Sequence, residues 1–161
     1  MFDGMQSLNQ LLHTYGESHQ NKTNKLVHWI CVPSIMFSLV GLFMAIPLPF
    51  ELQKSLIINW AFVFFVFAWI YYLRLSLVMF FSFVLIGLGM LWGNFYIWKI
   101  SSSNADLAVV SLSVFILAWI GQFIGHKIEG KKPSFLQDLQ FLLIGPAWLL
   151  HFIFDRLAIK Y

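Results

Sequence analysis

Four stretches of the chain, Trp29 to Pro47, Leu56 to Leu73, Leu75 to Trp98 and Leu107 to Ile124, carry no Asp, Glu, Lys or Arg. Each has about the 20 residues that a helix needs to cross a hydrocarbon core. The whole chain has 161 residues, 60% of them hydrophobic and only 11% charged, with 18 Phe and 7 Trp. That leaves too little polar surface to cover a water-soluble globule. In a bilayer the backbone has no water to bond, so a spanning segment satisfies its own N–H and C=O groups by becoming helical. The expected fold is therefore all-α, a multi-pass transmembrane helix bundle. Its four spanning helices cover 29–47, 56–73, 75–98 and 107–124, within one integral membrane domain of 1–161. The polar residues 1–28 precede the first span.

A fifth stretch, Pro133 to Phe154, is apolar but holds Asp138, His151 and a central Gly145-Pro146 pair. Proline removes a backbone donor and kinks or breaks a helix interior, so this segment is expected to span with a kink or to dip in and return. The second and third stretches join at Tyr72, Leu73 and Arg74, which requires a tight antiparallel hairpin. Gly87 and Gly89 in the third stretch read as sites of helix packing.

Lysine and arginine in short loops orient such a bundle, because they are retained on the cytoplasmic side. Lys22, Lys25, Arg74, Lys127, Lys131 and Lys132 collect on one face, whereas Lys54 and Lys99 mark the other. The amino terminus is thus expected to be cytoplasmic, in a bacterial inner membrane or the endoplasmic reticulum. The first 28 residues lack the basic-then-apolar pattern of a cleavable signal, so the first span is expected to stay. The formal net charge of +3 follows from the same loop bias and does not imply nucleic-acid binding. Asn21-Lys22-Thr23 is a formal glycosylation acceptor on the face expected to be cytoplasmic. Cys31 is the only cysteine and reads as a buried thiol.

The histidines carry the chemistry. His19 and His28 precede the first span and His126 closes the fourth, so an even number of crossings returns all three to one face. Gln122, His126 and Glu129 lie on one helical stripe, and Asn24 stands four residues before His28. Nine residues of unbroken helix would turn His19 away from His28, so a bend near Asn21 to Asn24 is expected. Converging neutral imidazoles are a usual ligand set for a transition metal, and histidine with carboxylate and open positions suits ferrous iron. His13 stands alone in an amphipathic segment and reads as a surface residue. His151 has Asp155 four residues on, either an orienting partner for a ligand or a solvated pair. No CxxC, HExxH, GxGxxG, phosphate loop or GxSxG occurs, and five scattered histidines cannot fill the clustered boxes of membrane di-iron desaturases. A small transporter, a proton relay or a structural membrane protein are the competing classes. The first two would need polar groups along a path through the membrane, whereas these gather at one face.

Tyr15, Ser18-His19, Asn24, His28 and Val32-Pro33, followed by Gln122-Phe123, Gly125-His126, Glu129, Pro133, Asp138 and Gly145-Pro146, resemble the Mpo1-like family of small membrane proteins. The resemblance runs from about Tyr15 to Phe154. It implies an iron(II)-dependent dioxygenase that shortens 2-hydroxy fatty acids by one carbon in fatty acid alpha-oxidation, with Fe(2+) as cofactor and molecular oxygen as co-substrate. It also implies that His19, His28 and His126 ligate the iron. The family commonly has a glutamate shortly after the Gly-Pro pair, where this chain has His151-Phe152, so Glu129, Asp138 and His151 stand as candidates for a fourth ligand. Tyr15, Asn24 and Gln122 are then expected to fix the imidazoles, while Lys131 and Lys132 either attract the substrate carboxylate or are ordinary lysines of the cytoplasmic face.

Overall fold

The computed structural model describes residues 8–49, 55–130 and 142–161. Among these there are six helices and no strand: α1 Leu8–Gly16, α2 Lys22–Ala45, α3 Trp60–Leu75, α4 Leu77–Ile100, α5 Asn104–Glu129 and α6 Ile144–Arg156. Three of them, α2, α4 and α5, are long and apolar enough to cross a membrane. The apolar α3 is shorter, at 16 residues.

The helices begin and end where the sequence supplies caps. Asn21 Oδ1 accepts from the N–H groups of Thr23 and Asn24, at 2.8 and 3.4 Å, and so starts α2 well before the apolar run that marks it in sequence. The helix thus begins ahead of the span expected from Trp29, since polar residues at a helix end still obey helical geometry. Ser103 and Asp106 form a reciprocal capping box at the start of α5. That helix runs on to Glu129, where Gly130 takes the left-handed conformation (φ 75°). Its polar last turn carries the helix beyond Ile124, where the expected span ends.

Ser76 alone makes the hairpin. It closes α3 with its N–H on the Tyr72 carbonyl and opens α4 with its Oγ accepting from Met79 N–H. The turn lies beyond Arg74, which remains helical, because a serine caps and an arginine does not. The Gly145-Pro146 pair does not kink a helix. Both residues sit in the first turn of α6, where a missing N–H costs nothing because it has no intrahelical partner. At 13 residues α6 reaches about 20 Å, short of a bilayer core. The rest of the fifth stretch, with Asp138, lies outside the described residues.

Packing fixes the relative direction of the helices. Along the α2–α5 seam three glycines let the backbones close: a Cβ at Gly41 would lie 2.1 Å from Ser111 Oγ, one at Gly121 2.6 Å from Cys31 Sγ, and one at Gly125 2.4 Å from Asn24 Oδ1. Small residues at such contacts are how helices associate in lipid, where no hydrophobic force drives them together. The order of these contacts makes α2 and α5 antiparallel. Gly87 serves α3 in the same way, against Phe65 and Trp69, whereas Gly89 faces open space. Asn94 Nδ2 donates to Phe37 O and Met90 O, both at 3.0 Å, and ties α4 to α2.

One apolar cluster, around Val40, Met44, Phe65 and Leu91, fills the far end of the bundle. Another joins Leu12 and Tyr15 of α1, Tyr72 of α3, Phe83 of α4 and Trp148 of α6. Tyr72 stacks on Phe83 at 3.8 Å and donates its hydroxyl to Leu143 O at 2.6 Å. The end of α1, the start of α2 and the end of α5 therefore meet at one end, roofed by α6. The remaining surface is lined by exposed Phe, Leu, Ile, Val and Trp, among them Phe67, Phe81, Leu85, Trp92 and Leu117.

Candidate metal centre

At that end His19, His28 and His126 come together, all three buried, with one potential ligand atom from each within 4.8 Å of the others. Three elements deliver them. His126 sits in the last turns of α5 and His28 in the second turn of α2. His19 lies in the connection between α1 and α2. The bend that separates the two amino-terminal histidines occupies residues 17–21, just ahead of its expected place, because Asn21 caps α2 and a helix cannot continue through its own cap.

Hydrogen bonds determine which nitrogen faces inward. His19 Nδ1 lies 2.7 Å from the Tyr15 carbonyl and His28 Nδ1 lies 2.9 Å from the Asn24 carbonyl. A carbonyl only accepts, so each Nδ1 carries the proton and donates it. Each neutral ring then presents a bare lone pair at Nε2. These two Nε2 atoms face each other at 3.0 Å. Two lone pairs at that distance repel unless a cation lies between them or one ring is protonated. Protonation is disfavoured at His19: burial lowers its pKa from 6.5 to about 4, against the raising effect of the Tyr15 carbonyl. Two nitrogens each about 2.1 Å from a metal, at tetrahedral or octahedral angles, are about 3.0 to 3.4 Å apart. The observed separation, the committed Nδ1–H groups and the third imidazole thus fit a transition metal.

The rings pack as a set, with His126 centred 5.2 Å from His19 and 5.0 Å from His28. Tyr15 stacks on His19 at 4.2 Å, and Trp148 adjoins both rings. Nothing in sequence spacing marks Trp148, which there belongs to an undivided apolar stretch. Gly16 allows its approach, since a Cβ at Gly16 would lie 3.2 Å from Trp148 Nε1.

The remaining expected site residues lie around this group. Tyr15 and Asn24 hydrogen-bond the imidazoles through their backbone carbonyls, and the Tyr15 ring also stacks on His19. The Asn24 side chain instead donates from Nδ2 to Glu129 Oε2 at 3.0 Å. Glu129 does not join the ligand group: its carboxylate also accepts from Gln20 N–H at 2.7 Å and Asn21 N–H at 2.9 Å, and so clamps the start of α2 to the end of α5. His151 stands apart as well. Its Nδ1 bonds the Tyr161 hydroxyl and its Nε2 lies 3.4 Å from Asp155 Oδ2. Gln122 is buried and lines, with Tyr15 and Gly145, a cavity of about 20 Å³ that has room for one water. His13 is exposed and pairs with Glu17. Asp138, Lys131 and Lys132 lie outside the described residues.

Comparison with known proteins points the same way as the histidines. The model of the family described as 2-hydroxy-palmitic acid dioxygenase Mpo1-like matches residues 5–157. The 2-hydroxy-palmitic acid dioxygenase MPO1 of Saccharomyces cerevisiae is 28% identical over 153 residues, which cover 93% of this chain and 81% of that protein. No solved structure matches the chain.

Proposed function

We propose, from the premise that this chain belongs to the Mpo1-like family, that it is an iron(II)-dependent dioxygenase that shortens 2-hydroxy fatty acids by one carbon. The observation that carries the reading is the facing pair of Nε2 lone pairs, 3.0 Å apart, with His126 beside them. His19, His28 and His126 would hold the metal. Ferrous iron, when bound, supplies the one-electron chemistry that oxygen requires and open positions for the carboxylate and 2-hydroxyl of the substrate.

The chain's own residues supply the rest. The Tyr15 and Asn24 carbonyls keep the two amino-terminal imidazoles in one tautomer and one orientation, as partners behind a metal ligand typically do. Tyr15 and Trp148 cover His19 and exclude water from that side. Glu129 holds α2 against α5, which keeps His28 facing His126. Gln122 faces the small cavity beside Tyr15, where a single water or the oxygen molecule would fit.

The same reading places the chain across a membrane four times. Since α2 and α4 are long enough to span and α3 leads from the far end of one to the near end of the other, α3 crosses too. The histidine end carries Lys22, Lys25, Arg74 and Lys127 and is assigned to the cytoplasmic side.

The test is conversion of a 2-hydroxy fatty acid, in oxygen, to the acid one carbon shorter. His19→Ala, His28→Ala and His126→Ala should each abolish it, and His13→Ala should not. Their losses should be non-additive, because one missing ligand already disables a shared site. Substantial turnover by any of the three, with iron retained, would remove that residue from the ligand set.

A further inference from the structure

Beside the histidine group two open depressions meet. One, of about 420 Å³, is walled by His19, Trp148 and His151; the other, of about 380 Å³, by Trp29, Ile153 and Arg156. They share Lys25 and Phe152. Lys25 therefore stands at the joint between a depression that reaches a histidine and one with an apolar floor. Its ammonium lies 6.0 Å from the centroid of the Phe152 ring, at the limit of cation–π reach, so its stem is laid along an aromatic face.

The charges here are unbalanced. Among the described residues, the acids at this end are already engaged: Glu129 with the start of α2, Asp155 with His151, and Glu17 with His13 on the rim of the first depression. None forms an ion pair with Lys25 or Arg156. A half-buried lysine with no counter-ion among the described residues, next to an apolar trough, calls for an anion that brings its own hydrocarbon.

The order of residues matches such a molecule. Lys25 and Trp29 are one helical turn apart on α2, so they lie on one stripe. Trp29 is 39% exposed, and its ring centroid is 6.4 Å from that of Phe152 across the gap to α6. Going away from His19, the groove offers first an ammonium and then an aromatic and aliphatic floor. An amphiphilic acid in a bilayer has the same sequence, with its headgroup at the interface and its chain inward.

We propose that Lys25 binds the carboxylate of the 2-hydroxy fatty acid and that the α2–α6 groove over Trp29, Phe152 and Ile153 takes its alkyl chain. The proposal deepens the dioxygenase reading above and rests on it for the identity of the acid. Lys25 holds one carboxylate oxygen at the joint, which leaves the other oxygen and the 2-hydroxyl toward the histidine side and the tail running on over the apolar floor. A tail that enters from lipid gains little by moving onto an apolar floor, so Lys25 supplies the preference for the free acid.

The test is equilibrium binding of radiolabelled 2-hydroxyhexadecanoic acid to the purified full chain in detergent, alongside its methyl ester and a phosphatidic acid. Iron content and turnover are measured on the same samples. Lys25→Met, which keeps the stem on Phe152, should weaken binding of the acid by about tenfold or more and raise KM with kcat little changed. Binding of the ester should not change, and Lys25→Arg should retain most of the affinity for the acid. Elution as a single species and unchanged iron content show that the variants are folded. Equal binding of the acid by Lys25→Met and the parent overturns the proposal, even if both convert the acid, in which case the dioxygenase reading stands. Lys25-dependent binding without conversion leaves the groove in place and removes the dioxygenase. Phosphatidic acid that competes as well as the 2-hydroxy acid would make this a lipid-headgroup site and overturn the assignment.

Discussion

Gly125→Ala should damage the metal centre without touching a ligand. The added methyl would lie 2.4 Å from Asn24 Oδ1 and 3.2 Å from Val27 Cγ1. Non-bonded atoms prefer about 3.5 Å, so roughly 1 Å of movement is forced. Asn24 cannot swing aside freely, because it is fully buried and its Nδ2 is held by Glu129 at 3.0 Å. Either α2 and α5 separate, at about 1–3 kcal/mol for overpacking, or the hydrogen bond to the carboxylate breaks, at about 1.5–3 kcal/mol. Both routes act on the ligands, since Gly125 precedes His126 and Asn24 supplies the carbonyl that orients His28. Iron(II) affinity should fall by about 10 to 100-fold, as read by anaerobic titration, together with a lower melting temperature in detergent. Gly89→Ala is the matched control, with no atom near its Cβ and up to about 1 kcal/mol of helix propensity to gain. An alanine at 125 that left both affinity and melting temperature unchanged would refute the claim that the α2–α5 seam sets the histidine geometry.

Gln122→Ala should weaken iron binding by about 10 to 100-fold while the bundle stays folded; unchanged affinity in the same titration would leave Gln122 a packing role only. Single cysteines at Thr14 and Lys127, in a Cys31→Ser background, should be labelled from one side of the membrane and a cysteine at Ser102 from the other. Labelling of Thr14 and Lys127 from opposite sides would be incompatible with a shared site. The His19 pKa falls from 6.5 in the unfolded chain to about 4 in the fold, so the unfolded state takes up the proton first. The stability this contributes is complete above pH 6.5 and is lost as the pH falls through about 4. Metal-free parent protein should accordingly lose more stability across that window than His19→Ala, in denaturation measured at each pH.

The long apolar helices were legible because apolar runs without charge have no other home, and the three histidines that the expected even number of crossings put on one face do converge in the fold. The helix ends were less so. Polar residues 22–28 and Gly125 to Glu129 belong to helices whose terminal turns leave the apolar run, and hydropathy does not register them. The hairpin was placed two residues early because Arg74 reads as a loop residue, although Ser76 holds the cap. Gly145-Pro146 reads as a break in the middle of an apolar run and proves to be a beginning, which only the position of the helix start reveals. At the site, the spacing of Asn24 and His28 drew attention to a side chain, whereas the contact comes from the carbonyl that any residue there would offer. Glu129 was visible on the right stripe, but its engagement with two backbone N–H groups of another segment depends on the tertiary arrangement. Trp148 and Lys25 were hidden for the same reason, since α6 reaches α1 and α2 only in the folded chain.

The central claim is that His19, His28 and His126 hold one metal ion between them, and iron stoichiometry tests it most directly. Protein purified without oxygen and loaded with ferrous iron should carry about one iron per chain, and His28→Ala, prepared identically and eluting as the same folded species, should carry none. A His28→Ala protein that holds as much iron as the parent would contradict the account.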